Sequence, residues 1–170
     1  DAMITYLLKT QRKTGRWWSS PTRPPLEDSA FTSTALAAYY MQEYVREPQK
    51  EAVHKSVSNA LNWLRKSRPL SLEDHNFKLW GLFELGTAKD EDHCSNLTQA
   101  ILGKQREDGG WSQLQAMESD AYATAASVLG VARSQQLLGA KAGFRFVLFP
   151  ETNPQGPLKI VETDRFPGSD

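Results

Sequence analysis

The chain has 170 residues, 39% hydrophobic and 24% charged, a size and balance that suit one globular domain or part of one. Twenty Lys and Arg offset twenty Asp and Glu, so no global field exists to hold nucleic acid or an anionic membrane, and no apolar run approaches the roughly 18 residues of a membrane-spanning helix. The single cysteine, Cys94, excludes an internal disulfide and leaves the compartment open.

In chain order, residues 2–12 read as a helix already under way at Asp1, so the natural protein is expected to extend upstream. Lys9, Arg12, Lys13 and Arg16 suit its C-terminus. Residues 28–45 are apolar on nearly all sides (Phe31, Ala35, Leu36, Ala38, Tyr39), as a helix buried all round would be. From 50 to 66 the pattern changes: Val53, Val57, Ala60, Leu61 and Leu64 form one stripe, with Glu51, Lys55, Asn59, Asn62 and Arg65 turned away. The alternation then recurs. An all-round apolar helix is expected near 74–86, a one-faced helix near 91–105, another all-round helix near 120–135 (Tyr122, Ala125, Ala126, Val128, Leu129) and a last one-faced helix near 138–149. Residues 150–170 carry Pro150, Pro154, Pro157 and Pro167 and read as an extended connection to a fourth inner helix beyond the chain.

Asp28, Asp74 and Asp120 head the three all-round helices at intervals of 46 residues. A carboxylate at an N-cap accepts a free backbone N–H and contributes about 1 kcal/mol. Alternating helix types at a fixed period imply two layers, inner helices covered by outer ones, and the expected class is all-α. Periodicity alone leaves open whether the hairpins form an open solenoid or a closed barrel.

The connections carry a sharper signal. Tyr6-Leu7, three residues, Gln11, three residues and Gly15-Arg16-Trp17 make a pattern whose second copy is Gln105-Arg106-Glu107-Asp108-Gly109-Gly110-Trp111, preceded by Ile101-Leu102. Trp63-Leu64 begins a third copy, with Arg68 at the Gln position, and Phe146-Val147 a fourth, with Glu151 for Gln and Leu158 for Trp. The pattern resembles the QW repeat of squalene and hopene cyclases, whose superfamily includes protein prenyltransferase β subunits; the tail Glu162–Asp170 resembles a loop in uncharacterised bacterial squalene-cyclase-like proteins. The resemblance implies a partial α/α toroid, about half of a barrel of about six hairpins. It implies structural roles for Gln11, Gly15, Trp17, Gln105, Gly109 and Trp111, tying outer helices to inner ones. It implies an isoprenoid or other apolar ligand, and a partner in the rest of the toroid or a second copy.

If the chain is an enzyme, the resemblance points to a triterpene cyclase-type isomerase or lyase. Such an enzyme protonates an alkene with the acid of an Asp-x-Asp-Asp-Thr-Ala motif, and the nearest match is Asp120-Ala121-Tyr122-Ala123-Thr124-Ala125. Tyr122 and Ala123 replace two carboxylates, and a phenol near pKa 10 is no substitute for an acid near 4. No cyclisation is therefore expected of this chain. Asp120, Asp28 and Asp74 remain weak catalytic or binding candidates at the cavity mouth, against capping as the simpler reading. Phe31, Tyr39, Phe77, Trp80 and Tyr122 are the candidate cavity-lining aromatics, against ordinary core packing. Asp92-His93-Cys94 offers the zinc ligand types of a prenyltransferase, yet sits in a polar outer-helix start; no metal site and no cofactor are assigned. The rival to an isoprenoid-handling domain is a helical-repeat scaffold that binds a protein or peptide.

Overall fold

The computed structural model describes residues 2–18, 29–138, 145–148 and 159–162. Six helices make up its body: α1 (Ala2–Thr10), α2 (Ala30–Tyr44), α3 (Lys50–Lys66), α4 (Leu72–Leu85), α5 (Glu91–Leu102) and α6 (Ala121–Leu138). Short 3-10 turns at Glu47–Gln49 and Ala88–Asp90 lead into α3 and α5.

The helix α4 packs between α2 and α6, which we call the inner helices with it, and the outer helices pack against them: α1 on α2, α3 on α2 and α4, and α5 on α4 and α6. The stripe on α3 is buried as the sequence requires, at Val53, Val57, Ala60, Leu61 and Leu64, with Ser56 added. On α5 the buried set is Cys94, Leu97, Thr98 and Ile101. At the centre, α4 packs against α2, α3, α5 and α6 and buries eight of its fourteen residues. Its backbone approaches α2 closely, because a Cβ added at Gly81 would lie 2.9 Å from the Ala35 Cβ. Consecutive outer helices are joined by Arg65, which donates Nε and Nη2 to Asp90 at 2.7 and 2.8 Å and holds that carboxyl below its ordinary pKa.

Three expectations are corrected. Burial on both sides fails for α2 and α6: Tyr40, Tyr44, Tyr122 and Leu129 are 45%, 62%, 41% and 53% exposed. Three hairpins supply outer neighbours for these helices, but their apolar circumference outruns that cover. The Asp repeat is not the capping register. Ser29 caps α2, accepting from Thr32 N, and Ser71 caps α4, accepting from Asp74 N; Asp120 does cap α6, accepting from Ala123 N at 2.9 Å. Asp74 instead stands three residues into α4 and closes a capping box by accepting from Ser71 N. Asp28 lies outside the described residues. Finally, the outer helix expected over 138–149 is replaced at Arg145–Leu148 by a strand, β1, paired antiparallel with β2 (Lys159–Glu162). In the backbone register Phe146 pairs with Val161 and Val147 with Ile160, and β-branched and aromatic residues are of the types that favour strands.

Candidate functional site

The two complete connections fold alike, bond for bond. Gly15 adopts φ 96° and Gly109 φ 81°, the left-handed region that favours glycine. Gln11 Nε2 donates to Gly15 O and Gln105 Nε2 to Gly109 O, both at 2.8 Å. The indole of Trp17 donates to Leu7 O at 2.9 Å, and that of Trp111 to Ile101 O at 2.7 Å, so each ring satisfies a carbonyl at an outer-helix end. Each Trp backbone N–H donates to a threonine hydroxyl of the next inner helix, Thr34 or Thr124, at 3.0 Å. Trp111 is 1% exposed. Gln11 also reaches across to α3: its amide donates to Ser56 O, and Ser56 Oγ donates to Gln11 Oε1 at 2.7 Å. The geometry also fixes the alignment, because Ile101 rather than Leu102 is the counterpart of Leu7.

At the N-terminal ends of the inner helices a polar crevice forms around α4. Because Ser71 is the cap, Glu73 falls in the first turn, where the helix dipole favours negative charge. Glu73 is buried between both neighbours: its Oε1 accepts from Thr32 Oγ1 at 2.9 Å on α2, and both its oxygens accept from Tyr122 OH at 3.0 Å on α6. Burial raises the Glu73 pKa above its ordinary value, against the opposing pull of those hydrogen bonds. Tyr122 is pushed up to about 12, first by burial and then by the Glu73 charge. Beside them Ser29 Oγ donates to Asp74 Oδ1 at 2.7 Å, a second tie between α2 and α4.

The crevice is lined by Ser71, Leu72, Glu73, Asn76, Gln113, Tyr122 and Ala123, and its free volume is about 10 Å³, room for one water-sized group. Asn76, 4% exposed, donates Nδ2 to Ser127 Oγ at 3.1 Å, while its Oδ1 has no hydrogen-bond partner among the described residues. Gln113 Oε1 is likewise buried and unpartnered. Asn76 also borders a second, apolar pocket of about 250 Å³ between α2, α4 and α6, lined by Leu36, Phe77, Trp80, Ala126, Leu129 and Gly130.

Of the predicted cavity aromatics, Phe77 and Trp80 line this pocket. Tyr39 packs on Trp80 with ring centroids 5.0 Å apart, and Tyr122 lines the crevice. Phe31 turns elsewhere, against Trp63 of α3 at 4.7 Å. Asp74 and Asp120 serve helix starts, Asp120 Oδ2 also accepting from Gln113 N. Asp92, His93 and Cys94 do not converge. Cys94 points into the core, with its thiol raised to about 11 by burial, whereas Asp92 and His93 are exposed, so the three do not fit a zinc ion. No group of three or more His, Cys, Asp or Glu suited to a metal occurs among the described residues.

Sequence reasoning missed Glu73 as a bridging group, and Asn76 and Gln113 altogether. One signal was available: Asn76, about one turn after Glu73 and beside the apolar positions Phe77, Leu79 and Trp80, is a polar group that burial must satisfy. Among the described residues no helix is long and apolar enough to cross a membrane. No family model matches the chain, and no curated protein or solved structure is significantly similar to it.

Proposed function

We propose that this chain is a squalene-cyclase-like repeat domain, about half of an α/α toroid, whose inner face holds an isoprenoid or comparable apolar chain without cyclising it. The observation that carries the reading is the 250 Å³ pocket on the open side of the inner helices, with Phe77 and Trp80 in its wall and Tyr39 behind Trp80. Apolar and aromatic walls of this size suit part of a hydrocarbon chain. The paired Gln-Gly-Trp connections support the family reading, since both use the same bonds to pin an outer helix to an inner one. Cyclisation has no support in the residues. Tyr122, one of the two residues that stand where the family's motif carries carboxylates, has its phenol driven up to about 12, the wrong direction for protonating an alkene.

The test is incubation of the purified chain with squalene. Quenching of tryptophan fluorescence, lost in Trp80→Phe, together with recovery of unchanged squalene is the expected result. A cyclised product would overturn the non-catalytic half of the proposal, and absence of binding the ligand half. A second reading, a scaffold for a protein or peptide, is favoured by one observation: Tyr40 and Tyr44 stack 6.1 Å apart on the exposed side of α2, where a partner could seat.

A further inference from the structure

Resting on the reading that the inner face holds an apolar chain, we infer that this ligand ends in one small hydrogen-bond-donor head, a hydroxyl or an ammonium, seated in the crevice among Glu73, Asn76, Gln113 and Tyr122. The apolar pocket and the polar crevice share Asn76 as a common wall. A chain lying along Phe77 and Trp80 can therefore bring one end to Asn76, the residue that also lines the crevice.

The chemistry of the crevice selects the head. Asn76 Oδ1 and Gln113 Oε1 are acceptors, both buried and both without a partner among the described residues, and the Glu73 carboxylate beside them adds further acceptor capacity. Buried acceptors left unpaired are unfavourable, so the group they await is a donor. Size agrees: about 10 Å³ admits one oxygen or nitrogen with its hydrogens. A diphosphate head fails on both counts. It is several times too large, and it would face Glu73, with Asp74 and Asp120 at the adjoining helix starts. The buried amine of α4 gives it no relief, because Lys78 Nζ is turned away to Ser67 O at 2.8 Å.

Affinities of the full chain should be measured for five probes below their micelle concentrations: farnesane, farnesal, farnesol, farnesylamine and farnesyl diphosphate. Farnesane has no head, and farnesal accepts without donating. Farnesol and farnesylamine are expected to bind about tenfold more tightly than farnesane and farnesal, the gain of pairing buried acceptors, with the diphosphate no better than farnesane. Gln113→Leu, which lies in the crevice and outside the apolar pocket, should pull farnesol down toward farnesane while leaving farnesane itself within about twofold. Retained farnesane binding shows that a variant is folded. Equal affinity for farnesol and farnesal, or a preference for the diphosphate, overturns the donor-head inference and leaves the apolar pocket standing. If no probe binds, the pocket reading itself falls and takes the inference with it.

Discussion

The α1–α2 and α5–α6 connections differ in kind from the α3–α4 connection between them. Residues 11–17 and 105–111 fold into matching loops in which a glutamine, a glycine and a tryptophan satisfy the outer-helix end and hand a backbone N–H to Thr34 or Thr124 of the next inner helix. The middle connection, between Lys66 and Leu72, has no glutamine, glycine or tryptophan to do this. In their place Lys78, which stands 46 residues before Thr124, sends its amine back to Ser67 O at 2.8 Å and Arg65 O at 3.4 Å. The start of α4 then reaches sideways, through Glu73 and Asp74, to Thr32, Ser29 and Tyr122 on the helices at either side. A repeat flanked on both sides can give up its loop, because lateral bonds to two neighbours hold it.

If the loops pin the outer repeats, breaking one should cost far more than breaking the middle connection. Trp111→Ala removes a fully buried indole and its bond to Ile101 O, and should destabilise the chain by about 4 kcal/mol in urea unfolding. Gly15→Ala comes next. Its φ of 96° is unfavourable for alanine, and the new Cβ would lie 2.2 Å from Asn59 O, so a loss of about 3 kcal/mol is expected. A loss under about 1 kcal/mol for either variant would mean that the loops decorate the hairpins rather than fasten them.

Much of this division was legible in the sequence. The two intact patterns announced the two intact loops, and the one-faced stripe from Val53 to Leu64 placed α3 to within a residue, because apolar period reports directly which face is covered. The crevice was not legible. Glu73 meets Thr32 and Tyr122, 41 and 49 residues away, only because three helix starts come level, and no local pattern encodes that coincidence. The spacing of Asp28, Asp74 and Asp120 even misled, since serine oxygens at Ser29 and Ser71 won the first two capping positions and freed Asp74 to bridge. The run Phe146-Val147-Leu148 was misread for a third reason: a short apolar stretch carries no period long enough to separate helix from strand.

The middle connection should yield the smaller effects. Lys78→Met keeps most of the buried stem and loses a charged donor to two carbonyls, partly offset by relief from burying the amine, so a cost of about 1 kcal/mol is expected. Its signature is in the pH dependence. Burial lowers the Lys78 pKa below 10.5, so in the window beneath that value the unfolded chain binds more protons than the folded one. Wild-type stability then gains a positive contribution as pH rises toward 10.5, and the variant should lack it.

The smallest change is expected from Glu73→Gln, and its sign is the informative part. Burial raises the Glu73 pKa above 4.5, so just above that value the folded chain holds a proton that the unfolded chain has released. The stability this group contributes is present below 4.5 and lost as pH rises through the folded pKa. Glutamine keeps an oxygen for Thr32 and, opposite Tyr122, can donate where the carboxylate accepted. The variant should therefore match wild type near pH 4 and exceed it slightly at pH 7, by less than the Lys78 effect, in paired urea titrations. A variant that matches wild type near pH 4 but is weaker at pH 7 would mean that the lateral ties depend on a charged carboxylate, and that the middle repeat gave up its loop for an ionic fastening rather than a neutral hydrogen-bonded one.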